Sequence, residues 1–428
     1  MSYETFVFDS YVFDESSKTL RLHYAIDDAL RFTETYKFDF EFVDHDPQVL
    51  DRAFQLLFYV AGVSYYKTYL PPKIVSQLEL DETTAQFLER TYQRGLGEFF
   101  YVNRMDPTQE IPFRANSKQS PALKAATDRT LLVGLGGGKD SLLSVELLRK
   151  AKQPIATWSL NHKKQLEPLV ERVGEKHYWV ERSWDSQLGE LNKADAYNGH
   201  VPISAIFAAV GTIVGVLRGH AAHVVSNENS ANEPTLSYKG QDINHQYSKS
   251  QEFERDYQAL LAHHFGGSFE YYSLLRPLTE LRVAELFTTY GLEKYSGVFS
   301  SCNRAYTKDS PGLYWDGTCS KCAFVYLILS PFVSTDTLSG IIGHNLLSDQ
   351  TLRSTYEQLL GIAGDKPLEC VGEIKESRAA MRLLQETYPA LNQFVFDLPD
   401  NYDFRTLRGH GMPTELYEAI KPLIAARI

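Results

Sequence analysis

Three glycines followed by lysine, aspartate and serine, Gly136–Ser141, carry the densest chemical signal in this chain. They stand between a short apolar run, Leu131–Leu135, and a helical pattern that opens at Ser141, so a strand runs into a tight loop and a helix follows at once. Glycine lets the backbone turn sharply and brings its N–H groups near a ligand, while the helix N-terminus adds partial positive charge. This is a cradle for an anion, with Gly136, Gly137, Gly138, Lys139, Asp140 and Ser141 as the candidate contacts. A Walker-type loop does not fit, because no glycine stands at Leu132–Val133 and Asp140, not Ser or Thr, follows Lys139. The dinucleotide fingerprint read from Gly134 fails as well, with Lys139 in place of its third glycine and Asn161 where the ribose acid would stand. An acid inside an anion cradle makes sense beside a metal, so Asp140 points to Mg²⁺ with a polyphosphate rather than a bare anion.

Further along, VVSNENSANEPT (224–235) follows a strand and crowds amides and carboxylates together. Asn227, Glu228, Asn229, Asn232 and Glu233 are candidates for substrate or Mg²⁺, with a solvated loop of Asx turns as the plainer reading. In INHQYSKSQEFE (243–254), His245 and Lys249 lie four apart, on one face if helical. They meet an anionic substrate or are merely exposed. SSCNRAY and WDGTCSKCAFVYL supply Cys302, Cys319 and Cys322, and a C-x-x-C ahead of an apolar helix is a common half of a zinc site. Three readings stay open: a Zn²⁺ site, an acid/base thiol at Cys302 or Cys322, and inert core cysteines.

These groups need a scaffold, and composition allows one. The chain has 428 residues, 43% of them apolar and 23% charged, enough for two or three domains with ordinary cores. A net charge of −11 and the lack of a basic run argue against nucleic acid as a partner. Four cysteines make no disulfide framework and fit a reducing compartment. The N-terminal residues lack a signal-peptide pattern and no apolar run is long enough to span a bilayer, so the expectation is a cytoplasmic protein without a membrane partner. Thr5–Val43 alternates like an antiparallel meander, Asp51–Tyr65 and Asp81–Gly95 read as helices, and GEFFYVNR as a closing strand. Residues 106–130 turn polar and Pro-rich, which suggests a boundary between an N-terminal α+β domain (1–120) and a second domain (121–428). There the strands Thr130–Leu135, Pro154–Leu160, His177–Glu181 and His223–Ser226 alternate with helices, as in a doubly wound parallel sheet with its ligand at the carboxyl ends of the strands. From Tyr290 onward the pattern is mostly helical.

The Gly-Gly-x-Asp-Ser loop resembles that of the PP-loop ATP pyrophosphatases, with Gly136 where many members have Ser. The resemblance implies that Gly136, Gly137, Gly138 and Ser141 cradle the pyrophosphate of ATP, with Asp140 beside Mg²⁺, and that the product is an adenylate. The cysteine segment resembles the zinc-binding end of the 7-cyano-7-deazaguanine synthases, with Asp316 at the position of one of four cysteines, so a zinc there would be held by Cys302, Asp316, Cys319 and Cys322.

VSYYKTYLPP, RGLGEFFYVN, GGGKDS, SNENSANEP, NHQYSKSQEFE, SSCNRAY, CSKCAFVYL and ECVGEIKESR together resemble the UDP-N-acetyl-α-D-muramoyl-L-alanyl-L-glutamate epimerases of peptidoglycan synthesis, over nearly the whole chain. That resemblance implies UDP-MurNAc-L-Ala-L-Glu as substrate, with inversion of its terminal L-glutamate at the expense of ATP. A peptidoglycan ligase before or after this step is the partner it suggests. Adenylation would remove the carboxylate charge that otherwise makes the α-proton very weakly acidic. Asp140, Cys302, Cys322, His245 and Lys249 are then the catalytic candidates, and Arg276, Arg304 and Arg378 the basic contacts for the substrate's anionic groups. An amide- or nitrile-forming PP-loop ligase and a non-catalytic ATP sensor are the competing readings.

Overall fold

The computed structural model describes residues 3–307, 310 and 312–427. The alternating aromatic runs fold as the expected meander, β1 (Thr5–Asp14), β2 (Thr19–Ile26) and β3 (Leu30–Asp39), paired antiparallel. Phe6 and Phe8, Leu20, Leu22 and Tyr24, and Phe32, Tyr36 and Phe38 all turn inward at period two. A short strand that the pattern hid, β4 (Lys73–Ser76), pairs parallel with β1 at the edge. The helix Pro47–Ala61 is started by Asp46, whose side chain accepts from the Gln48 amide, and by Pro47 at its first position. It packs on the apolar helix Ile203–Arg218.

The second group of strands is β5 (Leu131–Gly134), β6 (Ile155–Leu160), β7 (His177–Ser183), β8 (Ala222–Val225) and β11 (Glu270–Ser273); β9 (Leu236–Tyr238) and β10 (Gln241–Ile243) form a separate hairpin. All nine others join one sheet in the order β11-β8-β5-β6-β7-β3-β2-β1-β4. From β11 to β7 every neighbour is parallel. At β7 the direction changes, and β3 pairs antiparallel from Thr35↔Ser183 to Asp39↔Trp179. The fold is therefore mixed α/β, with the meander continuing the parallel strands rather than standing apart from them. A fully buried ion pair, Arg182 Nε to Glu34 Oε1 at 2.8 Å, spans that junction, and Ser64 Oγ accepts from the same guanidinium at 3.0 Å. Residues 103–130 contain neither helix nor strand.

Strand order locates the ligand-binding edge. The chain leaves β5 for β6 and β7 on one side, then returns to place β8 and β11 on the other. The loop after β5 therefore lies at the point where the winding reverses, with a crevice outside the carboxyl ends of the strands.

One expectation is corrected. Gly97–Val102 is a short helix, not a strand. Phe99 and Phe100 are both buried, which adjacent residues of a strand could achieve only between two apolar faces, whereas a helix turns both toward one core. The C-terminal third is helical as expected. Its centre is Ser320–Leu329, buried from Lys321 to Leu329 and packed against the helices Glu280–Tyr290 and Ile374–Gln385. No helix among the described residues is long and apolar enough to cross a membrane.

Candidate active site

The glycine loop is built as its spacing requires. Gly138 ends the turn in an extended conformation and the helix Lys139–Lys150 begins without any side-chain cap, leaving its first amides free for a ligand. Gly137 has φ +87°, and a β-carbon there would lie 2.2 Å from the Tyr306 hydroxyl, so only glycine fits. Gly136 faces open space, the direction from which an anion can approach. Tyr306 Oη donates to the Gly136 carbonyl at 2.7 Å and the Ser300 amide to the Gly137 carbonyl at 3.0 Å. The segment 300–306 thus braces the loop from outside. Ser141 Oγ donates back to the Gly138 carbonyl at 3.2 Å.

Behind the loop is a cluster of carboxylates. Asp140, Glu228 and Glu280 bring oxygen atoms within 4.8 Å of one another. Lys139 does not reach outward: its buried ammonium contacts Asp140 Oδ1 at 2.5 Å and Glu280 Oε1 at 2.6 Å. Burial alone would lower the Lys139 pKa, but Asp140 and Glu280 outweigh it and raise it. Burial would likewise raise Asp140, yet Lys139 and Lys321 hold it low. Glu280 goes the other way, pushed up to about 7 by burial and by the Asp140 charge despite its contact with Lys139. One ammonium in contact does not neutralise three carboxylates. Glu280 Oε2 is buried with no hydrogen-bond partner among the described residues.

The loop 227–233 closes over this cluster with its groups already engaged. The Asn227 amide donates to Ser273 Oγ at 2.8 Å and Glu228 Oε1 accepts from Ser230 Oγ at 2.9 Å. Asn229 Nδ2 donates to Glu373 Oε1 at 3.3 Å, Asn232 Oδ1 accepts from the Gln251 amide at 2.7 Å, and Glu233 Oε2 receives Lys366 Nζ at 2.7 Å. Arg276 is fully buried and spends its guanidinium on Glu254 Oε2 (2.9 Å), the Glu228 carbonyl (2.7 Å) and the Lys249 carbonyl (2.6 Å). It ties the loop to Lys249. Arg378 donates to the carbonyls of Leu360, Gly361 and Asp397. Arg304 is exposed and bonded to Asp316 Oδ2 at 2.7 Å and Thr318 Oγ1 at 2.8 Å.

His245 and Lys249 do come together, though not through a helical face, since only Tyr247–Lys249 forms a 3₁₀ turn. They meet at Cys370. Lys249 Nζ lies 3.1 Å from Cys370 Sγ, and His245, whose Nδ1 is engaged by Glu98 Oε2, stands close enough for its charge to act on the same thiol. Lys321 Nζ donates to the Cys370 carbonyl. Burial pushes the Cys370 thiol up, but Lys249 first, then the His245 hydrogen bond and Lys321, bring it down to about 6. Burial would lower His245, and its bonds to Cys370 and Glu98 overcome this to raise it to about 9.

Cys302, Cys319 and Cys322 gather with Asp316 at a second place. Cys302 Sγ is 4.0 Å from Cys319 Sγ, Cys319 Sγ 3.4 Å from Cys322 Sγ, and Cys322 Sγ 3.3 Å from Asp316 Oδ1. A tetrahedral zinc with ordinary Zn–S bonds spaces its sulfurs about 3.8 Å apart. The donor set and its spacing fit that ion. Cys302, held low by hydrogen bonds from Cys319 and Cys322, and Cys322 itself are both fully buried. Cys302 sits inside the segment that braces the glycine loop.

Sequence reasoning missed Glu98, Glu280, Lys321, Lys366, Cys370 and Glu373. Glu280 belongs to none of the motifs that stand out in the sequence, and Cys370 has no neighbour at ligand spacing. The clue for Cys370 was the acidic, glycine-containing stretch ECVGE, too polar for a core and too compact for a linker.

Strand order, glycine loop and carboxylates together define the class: an α/β protein with an uncapped glycine loop at the switch point of its sheet, next to a buried acidic cluster. Two family models match the chain, the MurL N-terminal domain over residues 1–274 and the MurL C-terminal domain over residues 298–398. A protein of Micromonospora sp. named UDP-N-acetyl-α-D-muramoyl-L-alanyl-L-glutamate epimerase is 37% identical over 393 residues, covering 90% of this chain and 87% of its own length. Proteins of the same name from Salinispora tropica and Xanthomonas oryzae pv. oryzae are 36% identical (90% and 85% covered) and 34% identical (97% of each). The chain belongs to this MurL epimerase family.

Proposed function

We propose that this chain inverts the terminal L-glutamate of UDP-MurNAc-L-Ala-L-Glu to D-glutamate, an isomerisation in peptidoglycan precursor synthesis, and drives it with ATP. The observation that carries the ATP requirement is the uncapped helix Lys139–Lys150 behind the open Gly136 turn, next to the Asp140–Glu228–Glu280 carboxylates. Gly136, Gly137, Gly138 and Ser141 would hold the pyrophosphate end of ATP. Asp140, Glu228 and Glu280 would hold Mg²⁺, for which the unpartnered Glu280 oxygen is suited, and the ion would neutralise charge on the phosphates. Lys139 keeps two of those carboxylates in place. Attack of the glutamate carboxylate on the α-phosphorus would give an acyl-adenylate and pyrophosphate. With the carboxylate charge removed, the α-proton becomes acidic enough for a side chain to take, and water finally releases AMP. A Zn²⁺ at Cys302, Asp316, Cys319 and Cys322 would be structural, fixing the segment 300–306 against the loop. The product would pass to a ligase that accepts a D-glutamyl end.

The test is incubation with ATP, Mg²⁺ and UDP-MurNAc-L-Ala-L-Glu in deuterated water. D-Glutamate carrying one α-deuterium, with AMP and pyrophosphate in equal amounts, is the expected result. Inversion that proceeds without ATP would remove the adenylation step. Asp140→Asn should lower AMP formation by about 10²-fold or more.

A further inference from the structure

The activated glutamate needs a base at its α-carbon, and the chain carries one thiol set apart from the other three. Cys370 lies on the segment that crosses the 227–233 loop, fastened on one side by Lys366 to Glu233 and on the other by Glu373 to Asn229. It is only partly buried, where the other three cysteines are buried. Two cations act on it from elements distant in sequence: Lys249 Nζ, 3.1 Å from the sulfur, and His245, which is bonded through Nδ1 to Glu98. Lys321 faces it from the helix Ser320–Leu329. Lys249 also acts on Asp140 and Glu228, and Lys321 on Asp140 and Glu280, so the thiol and the carboxylate cluster share the same cations. Glu369 and Glu373 are the acids on the segment itself. A thiol surrounded in this way exists as its anion.

We propose that Cys370 is the base that removes the α-proton of the activated glutamate, with Lys249 and His245 holding its thiolate and Glu98 positioning His245. This rests on the epimerase reading above. As the S–H bond forms, the Cα–H bond breaks, and the electron pair left on Cα moves into the acyl carbonyl to give an enolate. A proton from water arrives on the opposite face, the enolate pair closes the new C–H bond, and the proton on Cys370 neutralises the hydroxide left behind. Lys249 stays charged throughout, so its part is to keep the thiolate available and to steady the enolate oxygen's charge.

Cys370→Ala and Cys370→Ser decide the matter through two readouts on one sample. Pyrophosphate–ATP exchange, dependent on the dipeptide substrate, should stay within about threefold of the unaltered protein. Uptake of solvent deuterium at Cα should fall by about 10²-fold or more. Deuterium uptake that survives in both variants would overturn the proposal. If the unaltered protein inverts and takes up deuterium without exchanging pyrophosphate, adenylation fails while the dependence of deuterium uptake on Cys370 still decides this step. A measurement free of substitutions covers loss of folding: carboxamidomethylation by iodoacetamide, located by mass spectrometry, should be fastest at Cys370, half-maximal near pH 6, and should abolish deuterium uptake in proportion. Modified protein that still exchanges the α-proton would refute it.

Discussion

The chain keeps its four cysteines in two settings that differ in almost every physical respect. Cys302, Cys319 and Cys322 face one another and a carboxylate, buried, with no ammonium in contact with a sulfur among the described residues. Cys370 is only partly buried and lies beside Lys249, His245 and Lys321. Sulfur among sulfurs and a carboxylate accumulates negative charge that only a cation can relieve, and a divalent metal does so while fixing four chain positions. Sulfur among ammonium and imidazolium is already neutralised as a thiolate, remains mobile in its chemistry and has no use for a metal. The same atom type is thus suited to anchorage in one place and to proton transfer in the other, and the neighbours decide which.

The contrast is broken most severely at the anchored site. The unaltered protein should carry one zinc per chain, and Cys322→Ser should remove it and destabilise folding by roughly 3 kcal/mol or more. Metal analysis by mass spectrometry and thermal unfolding with and without a chelator check this. Because Ser300 and Tyr306 grip the glycine loop from the same segment, ATP binding should weaken along with stability. A variant that keeps its metal and its melting temperature but loses α-deuterium uptake would reverse the assignment and make the trio the chemical thiols.

Which of these features could be read from the sequence follows from how local each one is. Gly136–Ser141 is a contiguous motif whose strand and helix flank it directly, so the strand, the loop and its place at the carboxyl end of a parallel strand were all legible. So were β1–β3, whose aromatic alternation is a short-range pattern. The trio was half legible: C-x-x-C is local, but Cys302 joins it only through the fold. Cys370 was not legible, because its thiolate is made by Lys249, His245 and Lys321, and none of them lies within 45 residues of it in the chain. Glu98 was hidden further by reading Gly97–Val102 as a strand. The arginines show the same limit from the other side. Arg276 and Arg378 are chemically apt for anions, yet their guanidinium groups are taken up by the protein's own carbonyls and by Glu254.

A smaller perturbation sharpens the contrast at the mobile site. Lys249→Met removes the largest influence lowering the thiol, and the alkylation midpoint of Cys370 should rise from near pH 6 by about one pH unit or more, toward the ordinary thiol value of about 8.5. The trio should not respond, since Lys249 does not touch it. An unchanged midpoint would mean that His245 and Lys321 suffice alone, and would reduce Lys249 to a group acting on Asp140 and Glu228.

The least effect is expected from Glu98→Gln, which leaves Cys370 and both its cations in place and alters only what stands behind His245. The imidazole should fall from about 9 toward its ordinary value near 6.5, readable by nitrogen NMR of labelled histidine. The sign of the stability change follows. A histidine raised in the folded state stabilises it fully below the unfolded value, about 6.5, and loses that contribution as pH rises through about 9. Cys370, lowered to about 6, contributes in the opposite sense, fully at high pH and less as pH falls through 6. Glu98→Gln should therefore cost about 1–2 kcal/mol near pH 6 and little above pH 9, while the Cys370 contribution keeps its own pH dependence. Denaturant unfolding at several pH values separates the two. A loss that stays constant between pH 6 and 9 instead would mean that Glu98 serves His200, lowered to about 4 by burial and neutral over that range, whose Nδ1 lies 3.6 Å away, rather than His245.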